Sequence, residues 1–497
     1  MNYNEALGLV RYFISLGVSL VESVNNPAIP NEFRNNLIKN LKEEEIITLQ
    51  PANIVVDDEE HTEWLNHEDR SKWYYWPSLR LYLITKKSES WSNSSVQSLD
   101  KETYRILSRL GSPNQQNSFD KRGLVLGYVQ SVKTSNYTAL IAKAADSGYR
   151  LIIVLAGIDN GLRLQTHRRL KKELVGSSDG NGVLLPPIGK QWLEFTHDDL
   201  YGDFQAGYVN TASLQGSQPA LMVIKKNGAV LRRLLTWLDG APEEIKRTIP
   251  LLVIDDEADL ASIDTRGSNQ AEDDPIPEDY EPPSVINGLI RDLLNKFNHK
   301  AYVAYTATPF ANILIPHDNY DVRVSDNLYP RNFIINLPKP HGYFGAEELF
   351  GRMDDSFEEE VGGIDVIRPL VNPDSDDYFL QKHILPPVME KAILSFVLAG
   401  AAKDHRSERD FPATMLIHIS LRIIDQLQLR DIVDKKFAEL KDEWRYYRKD
   451  KIYNLLCKLW EEDFLPVIKL KYLDKLTEFE ELESHISMFF ESVQIRT

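Results

Sequence analysis

The chain has 497 residues, enough for two or three domains with cores of their own, and an ordinary globular composition, 42% hydrophobic and 26% charged. A single cysteine, Cys457, excludes an internal disulfide and any cysteine-based zinc cluster. The formal charge of −17 argues against a surface coated in nucleic acid, while leaving room for a local basic groove.

The longest apolar runs, Ala301–Pro316 and Ala392–Ala402, fall short of the ~20 residues of a membrane span. The N-terminus shows no basic n-region and no small-residue cleavage site. The expectation is a cytoplasmic protein without membrane contact.

Residues 1–50 read as helical, with Leu9, Tyr12, Phe13, Leu16 and Leu20 on one apolar face and a charged helix around 32–45. Residues 51–100 are mixed and rich in tryptophan (Trp64, Trp73, Trp76, Trp91). Packing of an N-terminal accessory domain, 1–110, accounts for them; a base-stacking platform is the alternative. Residues 111–121 read as a linker.

From Gly123 strands alternate with helices, the pattern of a parallel α/β sheet spanning 111–340. Strands are expected at 123–128, 151–156, 220–225, 250–255, 301–306 and 332–336. Helices are expected at 135–146, 161–174, 228–238 and 285–298, the first burying Tyr137, Leu140, Ile141 and Ala144. The acidic, Pro-rich stretch 266–284 reads as a mobile loop. A loop-rich acidic connector, 341–385, precedes a mostly helical region, 386–497. Helices are expected there at 386–403, 421–441, 443–462 and 475–493, with a buried strand at Thr414–Ile419. The apolar last residues read as a second domain cut short.

Three stretches carry chemistry. GLVLGYVQSVKT, 123–134, is strand, tight loop, Lys-Thr and helix, the layout of a phosphate-binding loop. Gly127, Lys133 and Thr134 are in place, with Gln130 and Ser131 in the loop. Val132 stands where the pattern wants a glycine that lets the backbone approach a phosphate. On this stretch alone a plain strand–loop–helix is an equal alternative. LLVIDDEAD, 251–259, delivers Asp256 and Glu257 at the end of an apolar strand, where open α/β sheets bind ligands. In a phosphate-loop ATPase the Asp positions Mg²⁺ and the Glu orients the attacking water. YTATPF, 305–310, ends the next strand with Thr306 and Thr308, which in helicase-like motors bond the DE carboxylates and couple the nucleotide site to the second domain.

Between these lie Arg163, Gln165, Arg168 and Arg169 after one strand, and Lys225, Lys226 and Asn227 after another. Such positions meet a nucleic-acid backbone in helicase-like folds; a solvated charged face is the alternative. His61 and His67 match no metal motif.

Together these stretches resemble the Z-one (Z1) domain family, superfamily-two helicase-like ATPases of bacterial restriction-modification and phage-defence gene clusters, often labelled endonucleases. The resemblance covers roughly 100–425, through RGLVLGYVQSVKT, LMVIKKNGAVLRRLLTWL, LLVIDDEADLASIDT, AYVAYTATPFANILIP and FPATMLIHIS. It implies a RecA-like fold with helical N-terminal and C-terminal regions. It implies ATP and Mg²⁺ held by Lys133, Thr134, Asp256 and Glu257, with Thr306 and Thr308 as the coupling triplet. Partners would be nucleic acid, DNA foremost, and other defence subunits such as an ATPase or nuclease. Two departures stand out. Val132 replaces the family's glycine, and the family continues into a second RecA-like half whose arginines complete the ATP site. Low turnover is therefore expected from this chain alone. Two further readings stay open: a non-catalytic DNA-binding or assembly subunit, and an endonuclease.

Overall fold

The computed structural model describes residues 23–31, 53–57, 64–65, 67–85, 91–128, 133–177, 182–260, 283–309, 327–340, 343–353, 360–368, 385–406, 412–418, 422–447, 451–471 and 476–496, with 6, 9, 10, 33, 34, 37, 262 and 312. Most of the expected N-terminal helices, His61, Phe310 and residues 266–282 of the expected loop lie outside these residues, while 283–284 begin a helix. Two compact units divide the chain, Met1–Tyr343 and Phe344–Thr497.

The first unit is built on one eight-stranded sheet of order β1-β8-β2-β7-β6-β3-β5-β4. The strands are β1 (Asn53–Asp57), β2 (Phe119–Leu126), β3 (Leu151–Ala156), β4 (Leu193–Glu194), β5 (Ala220–Ile224), β6 (Leu251–Asp256), β7 (His299–Thr306) and β8 (Phe333–Asn336). All neighbours run parallel except β1, which closes one edge antiparallel to β8. Parallel strands need crossover connections, which place helices on both faces. Here the helices are α1 (Tyr75–Thr85), α2 (Asn93–Arg109), α3 (Lys133–Ser147), α4 (Asn160–Leu170), α5 (Gly228–Asp239), α6 (Glu243–Thr248) and α7 (Pro283–Asn295).

The apolar runs are continuous because both faces of each central strand are covered. Ile152, Val154, Leu252, Ile254, Val303 and Tyr305 enter one core with α1, α2 and α3. Ile153, Leu155, Leu251, Val253, Tyr302 and Ala304 enter the other with α5 and α7. Tyr137, Leu140, Ile141 and Ala144 of α3 are all fully buried. The tryptophans at 64, 73, 76 and 91 join or pack on the first core. Trp64 Nε1 donates to Leu110 O at 2.7 Å, and Trp76 lies under the Lys143 ammonium, 4.5 Å from its ring centre. That placement favours packing over base stacking.

β2 begins at Phe119, within the stretch read as a linker, because Phe119 N bonds Asn298 O and extends pairing with β7. The second unit has its own core, formed by α9 (Pro387–His405), α10 (Ile423–Tyr446), α11 (Lys451–Leu459) and α13 (Phe479–Ser492), with α12 (Leu465–Lys471) beside it. A short helix, α8 (Ala346–Phe350), and a two-stranded ladder, β9 (Gly351–Met353) with β10 (Glu360–Gly362), occupy part of the expected connector. The expected strand at Thr414–Ile419 does not form among the described residues. Residues 412–418 alternate exposed and half-buried at strand period, but pair with no described strand. They line an apolar groove of about 1230 Å³ instead.

Candidate nucleotide and nucleic-acid site

Lys133 opens α3 directly after the loop that leaves β2. Its stem runs against the backbone of Gly127, where a Cβ would sit 2.5 Å from Lys133 Cγ. Glycine at 127 is thus a matter of close approach. The ammonium is nearly buried and lies 3.0 Å from both carboxylate oxygens of Glu257. β2 and β6 are not neighbours, since β7 runs between them. The convergence bridges that strand, at the carboxyl ends of the sheet.

Glu257 has φ 49, the sole left-handed non-glycine backbone among the described residues. Such a conformation costs ~1–3 kcal/mol and persists where its surroundings enforce it. Here it turns the chain off β6, so that four successive acids face four environments. Asp255 is fully buried and accepts from Tyr302 Oη. Lys226 Nζ sits 2.7 Å from Asp255 Oδ1 in poor hydrogen-bond alignment. Its protons go to the carbonyls of Glu257 at 2.7 Å and Leu260 at 3.1 Å. Asp256 accepts from Tyr137 Oη at 3.1 Å and from Glu257 N at 3.1 Å. Burial, then the Glu257 charge, raises the Asp256 carboxyl above its ordinary range, with Tyr137 and Lys133 opposing. Asp259 accepts from Thr306 Oγ1 at 2.7 Å and Thr308 Oγ1 at 2.8 Å.

The threonine pair therefore bonds the last acid of DEAD, not the Asp256–Glu257 pair expected. Asp255 and Asp259 were missed as functional candidates. The signal was the run of four acids in nine residues, but their division depends on the turn at Glu257. Gln130, Ser131 and Val132 lie outside the described residues. Thr134 is half-exposed at the start of α3.

The basic residues separate by burial. Arg163 is fully buried, donating to His197 O at 3.0 Å and to Asp199 O, so it braces the 197–199 loop. Lys226 is buried in the ion contact above. Neither offers its cation to a nucleic acid, because desolvated charge is held by internal partners. Gln165 and Arg168 are exposed on α4, and Lys225 is half-exposed. Arg169 donates to Ser135 Oγ and lies 3.4 Å from Glu173. Asn227 caps α5, its Oδ1 accepting from Ala229 N and Val230 N.

The groups present fit a Mg²⁺-nucleotide in their donor chemistry. A lysine at a helix N-terminus suits phosphate. Among the described residues no three His, Cys, Asp or Glu side chains cluster for a metal. Mg²⁺ needs only one or two carboxylates when phosphates and water complete its shell. Asp256 and Thr134 would hold it.

A doubly wound parallel sheet with its lysine and acids at the carboxyl strand ends defines a RecA-like α/β protein. Within it, residues 388–497 match the Z1 domain family. That segment overlaps the resemblance read from the sequence motifs only over 388–425. No curated protein matches the chain. Among solved structures, the Hef helicase domain of Pyrococcus furiosus aligns with 78% of this chain and 68% of its own. Identity is 11% and the TM-score 0.26, too loose a superposition to carry a functional argument. No helix among the described residues is long and apolar enough to cross a membrane.

Proposed function

We propose that the first unit binds ATP with Mg²⁺ and forms the ATPase core of a helicase-like nucleic-acid motor subunit. Its setting, a bacterial phage-defence or restriction-modification system, follows the sequence resemblance. The observation that carries the reading is the meeting of the Lys133 ammonium with the Glu257 carboxylate, 3.0 Å apart beside Asp256.

In this reading phosphate takes the place of Glu257 on Lys133. Glu257, released, orients the attacking water. Mg²⁺, held by Asp256 and Thr134, would supply positive charge against the phosphates. Tyr137 and the Glu257 amide fix Asp256 for it. Thr306 and Thr308 hold Asp259, stiffening the turn behind the acids. Low turnover is expected from Val132 at the glycine position of the loop.

The second reading, a non-catalytic DNA-binding or assembly subunit, rests on that same Val132. The third reading, an endonuclease, is carried by the sequence resemblance alone.

Calorimetry with Mg²⁺-ATP decides between the first two. Weak binding is expected for the chain as it stands, tighter binding for Val132→Gly, and none when Lys133→Ala is added. Absence of binding by Val132→Gly rejects the ATPase reading. Hydrolysis at ordinary motor rates by the unaltered chain rejects the expected low turnover.

A further inference from the structure

The acids that follow β6 are gripped from two sides. β7 lies between β6 and β2, and Lys133 reaches past it to the Glu257 carboxylate. On the other side β3 lies between β6 and β5, and Lys226 reaches past that strand to the backbone of the same turn. Two lysines thus hold one residue by different ends: Lys133 the Glu257 side chain, Lys226 the Glu257 carbonyl.

Lys226 is itself anchored. Its amide donates to Gly157 O at 2.8 Å, just beyond β3. Its side chain is fully buried beside the equally buried Asp255, whose other oxygen takes the Tyr302 hydroxyl. Its neighbour Lys225 instead lines an open polar pocket of about 410 Å³ beside the N-terminus of α5. The left-handed backbone of Glu257 persists only where contacts enforce it. Leu260 N closes the turn on Glu257 O at 2.9 Å, and Lys226 ties the carbonyls at both ends of that turn to one point. Asp256 is placed by other means: it pairs with Ala156 and Tyr305 in the sheet and accepts from Tyr137. The clamp therefore bears on Glu257 and not on Asp256.

We propose that Lys226 is a positioning residue of the nucleotide site. By fixing the turn it delivers Glu257 to Lys133, and so sets how often Lys133 is open to phosphate. The apparent affinity of a site falls with the fraction of molecules in the open form. This rests on the ATP part of the proposed function.

The test uses the full chain carrying Val132→Gly and calorimetry with Mg²⁺-ATP. Lys226→Met alone would strand the buried Asp255 charge, so it is paired with Asp255→Asn, which keeps the net charge. Removing the clamp in this way should tighten binding about tenfold, because Glu257 is no longer delivered to Lys133. Glu257→Gln should tighten it to a similar degree. Adding the clamp variant to Glu257→Gln should then change nothing further. In the nucleotide-free chain, amide hydrogen exchange should speed up over 257–260 and stay slow in β3 and β6. A gentler pair, Lys226→Gln with Asp255→Asn, gives the same readings if the first protein fails to fold. A residue that only supports the fold would weaken binding, by one factor with or without the Glu257 carboxylate. That result overturns the proposal, as does unchanged exchange in the turn. If no protein of the set binds nucleotide, the ATP reading falls and this role with it. If all bind alike, the ATP reading stands and the role of Lys226 falls.

Discussion

Thr306 and Thr308 both donate to Asp259, and Thr308 N in turn donates to Thr306 Oγ1 at 2.9 Å. Thr306→Val keeps the volume and removes the hydroxyl, leaving one Asp259 oxygen and one amide without that partner. A stability loss of ~1–3 kcal/mol is expected, read as a lower melting temperature, with Mg²⁺-ATP affinity nearly unchanged. A melting temperature equal to the parent's would mean the contact contributes nothing. The meeting of Lys133, Asp256 and Glu257 was legible in the sequence because an apolar strand followed by a lysine or by acids places both at the carboxyl end of one sheet. The roles of Asp255 and Asp259 were not. They follow from the left-handed backbone of Glu257, which no side-chain pattern announces. Nor does spacing separate Lys225 from Lys226: one is half-exposed, the other buried where the carbonyls of Glu257 and Leu260 hold its ammonium.

At the scale of elements, α3 is tied to α2 by Lys143, whose ammonium lies 2.6 Å from both Asp100 O and Asp100 Oδ1. The group is fully buried, and burial lowers its pKa from 10.5 to about 7, against the pull of Asp100. A depressed amine favours the folded state most above its unfolded value of 10.5, and that contribution is lost as pH falls through about 7. The melting temperature should therefore rise between pH 7 and about 9.5. Lys143→Met should flatten that rise, with Arg70 still 3.5 Å from Asp100. An identical pH profile in the variant would remove Lys143 as its source. The buried face of α3 and the apolar runs of β3, β5, β6 and β7 were readable because a helix stripe and a doubly covered strand leave clear periods. β1 was not, since a five-residue edge strand with a register shift depends on β8 to exist. Residues 414–418 show the converse: strand period in the sequence without a described partner strand.

At the scale of the molecule, the two sheet-face cores use residues 65–337 and the helical core uses 385–490. Separate cores unfold separately unless a large interface joins them. Calorimetric melting should resolve two transitions. Trp460→Ala, which empties a buried site in the helical core, should lower only one of them, by ~3–5 kcal/mol. A single transition that moves as a whole would show the units to be one cooperative body. Within the first unit, two adjacent lysines at the end of β5 have different duties. Lys225 stands at the pocket beside α5, while Lys226 clamps the carbonyls of Glu257 and Leu260. Losing the Lys226 ammonium would therefore free two buried carbonyls at the turn that aims Glu257 at Lys133, whereas losing that of Lys225 would leave the turn's bonds intact.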